Sequence, residues 1–213
     1  KSINTKIIIS QKPEKITIDY FSTRFNVNNK SYSIPLLGGH QADNAALAIQ
    51  AVRIFKPKLN YNIISDGLIN TVWPGRFHLL DKKLPIFYDV AHNQAGINSI
   101  RNTLKYLNVH KKVGLIILKE DKDIDNIAHS LNGLFNELIV STIPDSQLMG
   151  IKKLFNYLNK NNIKCKTVNP IEEAFKYMTN QAENGAISII FGSHYVAKSI
   201  YKFFEINFDN VTL

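Results

Sequence analysis

The sequence predicts an α/β protein in which a doubly wound, mostly parallel domain follows a smaller β-rich and helical region. Three observations carry that expectation. Residues 6–37 are built from short β-branched runs. From Ile86 onward, near-continuous apolar segments alternate with amphipathic stretches, the pattern of a parallel sheet covered on both faces. Between the two regions stands Trp73-Pro74-Gly75-Arg76, where proline and glycine interrupt regular structure. The domain boundary is placed there, dividing the chain into residues 1–72 and 73–213.

In the first region, Lys6-Ile7-Ile8-Ile9-Ser10 and Lys15-Ile16-Thr17-Ile18-Asp19 read as strands separated by Gln11-Lys12-Pro13-Glu14, a turn composition. Tyr20 to Val27 alternates in part, Asn28-Asn29-Lys30 supplies a turn, and Tyr32 to Leu37 reads as the return strand of a hairpin. Four short strands would make a small antiparallel sheet. At Gly38-Gly39 the period changes. Ala45, Ala46, Leu47, Ala48, Ile49, Ala51, Val52 and Ile54 form a broad helical stripe that ends before Pro57. Its alanines imply close packing against a neighbour. A second helix is expected from Tyr61 to about Asn70, with Ile63, Ile64, Leu68 and Ile69 inward.

Beyond the boundary, strands are expected at 77–80, 86–89, 113–118, 138–141, 164–168 and 186–191. Helices are expected at 94–107, 124–135, 150–161, 171–182 and 193–204. Right-handed crossovers between such strands give a Rossmann-like domain whose ligands lie outside the carboxyl ends of the strands.

Composition excludes several function classes. The apolar fraction is 45% over 213 residues and charged residues make up 20%, which suits globular cores rather than disorder. The net charge of +9 invites a nucleic-acid reading. The lysines are scattered, however, with no run longer than pairs such as Lys111-Lys112, and no nucleic-acid motif is present. A general positive field that attracts polyanionic small molecules is the better expectation, with no nucleic-acid and no membrane partner. The single cysteine, Cys165, rules out an internal disulfide framework, favours a reducing, cytoplasmic setting, and sits in a strand-like context that suggests a buried structural thiol. No apolar run approaches the ~20 residues of a membrane helix. The start, Lys1-Ser2-Ile3, lacks a methionine and any signal-peptide layout, and reads as the middle of a longer protein.

Three constellations carry chemistry. Gly38-Gly39-His40-Gln41-Ala42-Asp43-Asn44 opens the first strong helix. Its glycines permit close backbone approach, and free amides at a helix start favour anions or polar rings. Asn44 can pair with an adenine edge, which needs a donor and an acceptor at once, or can satisfy local backbone. Trp73-Pro74-Gly75-Arg76 offers a guanidinium for two parallel bonds to a phosphate, or forms a surface turn with an anchoring tryptophan. Tyr88-Asp89-Val90-Ala91-His92-Asn93 ends a strand and starts a helix. An acid there suits a ribose hydroxyl, and His92 suits a phosphate or carboxylate. No G-x-x-x-x-G-K-[ST] phosphate loop, dinucleotide fingerprint, hydrolase elbow around Ser193, or zinc-type cluster occurs in the sequence. The charged run Lys119 to Asp125 reads as a solvated loop or as a lip of the site.

These pieces, in this order, resemble the second half of the folylpolyglutamate synthase/dihydrofolate synthase family of the Mur ligase superfamily. The residues that carry the resemblance are Gly39-His40-Gln41-Ala42-Asp43-Asn44-Ala45-Ala46-Leu47-Ala48, Trp73-Pro74-Gly75-Arg76 and Asp89-Val90-Ala91-His92-Asn93. Ile117 to Asp123 and Gly192-Ser193-His194-Tyr195 support it. The family usually has glycine and proline where this chain has Val90 and Gln94, a departure that narrows backbone freedom and removes a rigid helix start.

The resemblance implies an ATP-dependent ligase of folate biosynthesis and one-carbon metabolism. It would join L-glutamate to dihydropteroate or a folate through an acyl phosphate. Asn44 would contact adenine, Arg76 the ATP phosphates and Asp89 the ribose. His92 would be the catalytic-side residue near the reacting phosphate or glutamate, and Ser193 and Tyr195 would lie on the glutamate side. Residues 1–72 would be the tail of the central ATPase domain and residues 73–213 the glutamate-ligase domain. The phosphate loop and Mg2+ ligands would belong to a preceding part, so this chain is expected to be inactive alone, and monomeric. Another Mur-type amide ligase, or a stand-alone nucleotide-binding module without catalysis, are the alternatives.

Overall fold

The computed structural model of the protein describes residues 7–145 and 147–207. The chain forms two compact units, one ending at Thr71 and the other beginning at Val72.

In the first unit a three-stranded antiparallel sheet runs β1 (Glu14–Ile18), β2 (Thr23–Val27), β3 (Lys30–Ile34) in that order. Asn28 and Asn29 close the β2–β3 hairpin with φ of 52° and 58°, the left-handed pair that a two-residue turn between twisted strands requires. The run expected as a strand before β1 is not one: residues 7–10 are irregular, and Ile7 is 86% exposed. Lys6 lies outside the described residues. A β-branched run without a partner strand has nothing on which to realise its propensity. Helices α1 (Gly39–Phe55) and α2 (Tyr61–Ile69) complete the unit. Phe25, Val27, Tyr32 and Ile34 from the sheet bury Ala42, Ala45, Ala46, Ile49 and Ile64 from the helices. Of the four residues expected to face inward from α2, Ile64 is buried and Leu68 partly so. Ile63 and Ile69 are exposed by 57% and 51%, because only the Tyr61–Ile64–Leu68 face packs on this core.

The second unit is a six-stranded sheet in the order β4-β5-β9-β6-β7-β8. The short edge strand β4 (His78–Leu79) pairs antiparallel with β5 (Ile86–Asp89). The remaining strands β9 (Ile187–Phe191), β6 (Lys112–Ile116), β7 (Glu137–Val140) and β8 (Lys166–Thr167) are all parallel. Between them run α3 (Gln94–Tyr106), α4 (Ile124–Leu131), α5 (Ile151–Lys160), α6 (Ile171–Glu183) and α7 (Ala197–Phe203). Ile86, Tyr88, Val113, Leu115, Ile139 and Ile190 pack against Ala174, Phe175 and Met178 of α6 and Ile200 of α7. Their strand neighbours Phe87, Ile116, Ile189 and Phe191 are buried as well. Because successive strand residues point to opposite faces, both faces are covered, as the apolar runs imply. The mixed α/β architecture with a mostly parallel sheet is the expected fold class.

Local expectations change at several element ends, α4 for example stopping at Leu131 rather than at Phe135. The last helix begins at Ala197, four residues later than its pattern suggests, so residues 193–196 form a loop after β9. Cys165 precedes β8 and is only half-buried, although burial still pushes its thiol pKa up. The edge strand is too short to bury it.

Candidate functional site

Strand β9 arrives last and inserts between β5 and β6. The carboxyl ends of these three strands therefore lie side by side where the direction of winding reverses, the crevice in which open α/β sheets take ligands.

The turn carrying Arg76 lies against the end of β5. Gly75 is buried with φ of 73°, and its carbonyl accepts a hydrogen bond from Val90 N at 2.9 Å. A Cβ at Gly75 would stand 2.8 Å from Val90 Cγ1, so glycine is what lets the two segments touch. The Asp89 carboxylate joins them again. Its Oδ2 accepts from Phe77 N at 2.8 Å and its Oδ1 accepts from Ala91 N at 2.7 Å. Phe77 is held at φ 44° with its ring buried. The acid is thus the clamp that folds the Trp73–Phe77 turn onto the strand end.

Burial raises the Asp89 pKa to about 6, against the lowering effects of those two amides, of Arg76 and of His92. Two hydrogen bonds use two of the roughly four acceptor positions of a carboxylate, which leaves capacity for a donor such as a hydroxyl. The Arg76 guanidinium makes no ion pair among the described residues; its Cζ lies 5.8 Å from the ring centroid of the exposed Trp73. A tryptophan in this position does not anchor the turn; its face is offered to the guanidinium.

His92 Nδ1 lies 2.8 Å from the Val90 carbonyl oxygen. A carbonyl can only accept, so Nδ1 carries the proton and Nε2 is the acceptor of the neutral ring. Asn93 then caps α3, its side chain accepting from Gly96 N at 2.8 Å. A Cβ at Gly96 would meet that of Ala91 at 2.8 Å, so the helix start sits directly on the Asp89–His92 turn. The helix begins at Gln94 without a proline because the Asn93 side chain supplies the cap. Val90 is not among the residues with positive φ, so this turn accepts valine in place of glycine.

Ser193 and Tyr195 lie in the loop after β9. The Ser193 hydroxyl accepts from Tyr195 N at 3.1 Å, and the Tyr195 hydroxyl donates to Gln147 Oε1 at 2.7 Å. The Lys119 ammonium lies 5.9 Å from the centroid of the Tyr195 ring. Lys119 and Leu148 are themselves bridged in antiparallel fashion, so the first residue of the charged run after β6 lies beside this loop. Gln147 and Tyr88, whose hydroxyl donates to the Ser193 carbonyl at 2.8 Å, were not singled out from the sequence. The available signal for Tyr88 was a phenol inside an otherwise apolar strand, since a buried tyrosine hydroxyl generally finds a partner.

The second unit therefore brings together Arg76, Asp89 and His92 at β5, with Ser193 and Tyr195 on the neighbouring strand end. Asn44 belongs to the first unit. It is exposed on α1 and donates to Gln41 Oε1 at 3.1 Å, so it caps no helix. Among the described residues no group of three or more His, Cys, Asp or Glu side chains could hold a metal ion, and no helix is long and apolar enough to cross a membrane.

The second unit is a doubly wound α/β domain with guanidinium, carboxylate and imidazole at the reversal of its strand order. The chain is similar in sequence to proteins named dihydrofolate synthase/folylpolyglutamate synthase. It is 27% identical over 187 residues to the dihydrofolate synthase/folylpolyglutamate synthase of Bacillus subtilis, covering 84% of this chain and 43% of that protein. The Mycobacterium tuberculosis dihydrofolate synthase/folylpolyglutamate synthase is 32% identical over 114 residues, or 51% of this chain and 23% of that one. The fold of M. tuberculosis folylpolyglutamate synthase, solved with ADP and AMPPCP, superposes with a TM-score of 0.80 at 23% identity, covering 92% of this chain and 48% of the other. No protein-family model matches. The chain spans less than half the length of these relatives.

Proposed function

We propose that this chain forms part of an ATP-dependent ligase that joins L-glutamate to dihydropteroate, to a folate, or to both, and that it carries the adenosine-facing and glutamate-facing groups. The observation that carries the reading is the Asp89 clamp. One carboxylate organises the turn bearing Arg76 and the turn bearing His92, at the strand ends where α/β sheets take nucleotides. Solved structures that share this fold include folylpolyglutamate synthase with ADP and AMPPCP, Escherichia coli FolC with DHPP and ADP, and a bifunctional folylpolyglutamate synthase/dihydrofolate synthase with Mn, AMPPNP and L-glutamate.

In this reading the first unit is the end of the central ATPase domain, with Asn44 directed at adenine, and the second is the glutamate-ligase domain. Asp89 accepts a ribose hydroxyl through its remaining lone pairs. Arg76, free of an ion pair among the described residues, neutralises phosphate charge. Phosphoryl transfer is promoted by positioning and by charge stabilisation more than by covalent participation, so a fixed guanidinium suits the task. His92 presents Nε2 toward the reacting phosphate or glutamate, with its ring orientation set by the Val90 carbonyl. Ser193 and Tyr195 face the amino acid. Mg2+ would be held by the nucleotide phosphates and by groups outside this chain. The sequence contains no phosphate loop, so the 213-residue chain alone should not turn over ATP.

Calorimetric titration of ATP into the chain tests the reading. Undetectable binding supports it, whereas tight binding that is lost in either Asn44→Ala or Arg76→Ala would favour a stand-alone nucleotide-binding module. Turnover of ATP with dihydropteroate and L-glutamate by this chain alone would overturn the assignment of the phosphate-binding part to other residues. A protein from the complete reading frame that ligates a different amino acid would point to another Mur-type amide ligase.

A further inference from the structure

The loop after β9 is fixed from three directions, and one fixture comes from beneath the nucleotide-facing strand end. Tyr88 is fully buried in β5, immediately before Asp89. Its hydroxyl donates to the backbone carbonyl of Ser193, 105 positions away, at 2.8 Å. Gly192, with φ of 115°, is pressed so closely on β6 that an added Cβ would lie 2.1 Å from the Ile117 carbonyl oxygen. From the outer side, Gln147 accepts the Tyr195 hydroxyl at 2.7 Å. The Tyr88 ring meets the other half of the cluster too, since its Cε1 lies 3.3 Å from where a Gly75 Cβ would be. One side chain therefore touches the Arg76 turn with its ring and the Ser193–Tyr195 loop with its hydroxyl.

We propose that Tyr88 is a positioning residue for the amino-acid side of the site: its hydroxyl holds the Ser193–Tyr195 loop in register with the strand end that carries Asp89. The inference rests on the reading that Ser193 and Tyr195 face the amino acid. Removing the hydroxyl leaves the Ser193 carbonyl without its buried donor, and the loop then samples other positions. Apparent affinity falls in proportion to the fraction of molecules that hold the competent arrangement. The ring contact with the Gly75 turn survives in phenylalanine, so the nucleotide side should be spared. The two sides are thus separable by a single oxygen atom.

The test is steady-state kinetics of the protein from the complete reading frame, comparing wild type, Tyr88→Phe and Gln147→Ala. Gln147 is exposed, so its truncation frees the same loop without entering the core. Tyr88→Phe is expected to raise KM for L-glutamate by about tenfold, the scale of one lost hydrogen bond with an unpaired buried carbonyl, and Gln147→Ala by a smaller factor of about threefold because water replaces an exposed partner, while KM for ATP and kcat change by about twofold or less in both. An unchanged KM for L-glutamate in Tyr88→Phe overturns the proposal. So does a rise in both KM values together, which marks general loosening of the strand end. A wild-type protein that turns over but ignores L-glutamate overturns the underlying reading instead, and is recognised before any variant is made.

Discussion

The carboxylate of Asp89 accepts a 2.8 Å hydrogen bond from the amide of Phe77, twelve positions earlier in the chain. That bond sets the direction in which Arg76 leaves its turn, because Phe77 is held at a left-handed φ beside it. Acid and guanidinium are therefore one structural unit, and the predictions begin with them.

In the protein from the complete reading frame, Arg76→Ala should weaken ATP binding by about tenfold to a hundredfold, the range for losing charge-assisted hydrogen bonds worth roughly 1.5–3 kcal/mol. The fold should be little affected, since the guanidinium lies over the exposed Trp73 ring and makes no ion pair among the described residues, although the Asp89 carboxyl loses a charge that holds its pKa down. Titration calorimetry beside a denaturation midpoint checks both halves of the statement. An equal loss in Arg76→Lys would identify bidentate geometry rather than charge as the requirement.

Asp89 gives the chain a particular pH dependence. Burial raises its folded pKa to about 6, whereas an unfolded aspartate titrates near about 3.9. Between those values the folded state binds more protons than the unfolded one. This group's stabilising contribution is therefore complete below about pH 4 and is lost as pH rises through about 6, with an amplitude on the order of 2–3 kcal/mol. Urea unfolding from pH 4 to 7, wild type against Asp89→Asn, should show the difference between the two proteins changing over that window and level above it. A flat difference would mean that the acid is not desolvated.

Gly192→Ala should be among the most damaging single changes. The residue has φ of 115°, and its Cβ would sit 2.1 Å from a backbone oxygen that cannot move without displacing β6. A loss of about 3 kcal/mol or more follows from left-handed strain combined with a backbone clash. Chemical denaturation measures it, and a loss below about 1 kcal/mol would show that the loop relocates freely.

In the first unit, Asn29→Gly should be stabilising by about 0.5 kcal/mol. Both central residues of the β2–β3 turn have positive φ, and Asn-Gly is the favoured pair for such turns. Replacing Asn28 by alanine should cost about 1 kcal/mol instead, since alanine disfavours the left-handed region. Thermal midpoints of the two variants should move in opposite directions.

Much of this protein was legible in its sequence. The apolar runs Ile86–Phe87–Tyr88 and Ile187–Phe191, buried on both faces, announced a parallel sheet before any strand was paired, because only strands covered twice dispense with polar alternation. The Asn28-Asn29 turn and the start of α3 after Asn93 were equally local matters of backbone preference and capping. Local pattern failed where a partner was required. Residues 7–10 have strand propensity but no partner strand among the described residues, Ile63 and Ile69 are apolar on a helix whose other face meets the core, and the last helix starts only after the loop that follows β9. Tertiary structure alone decided that β9 would insert between β5 and β6, which brings Tyr88 to the Ser193 carbonyl, and that the Asp89 carboxylate would clamp the Arg76 turn onto the end of its strand. Periodicity records which face of a segment avoids water; it carries no information about which distant segment will cover that face, and the candidate site is made of such distant pairs.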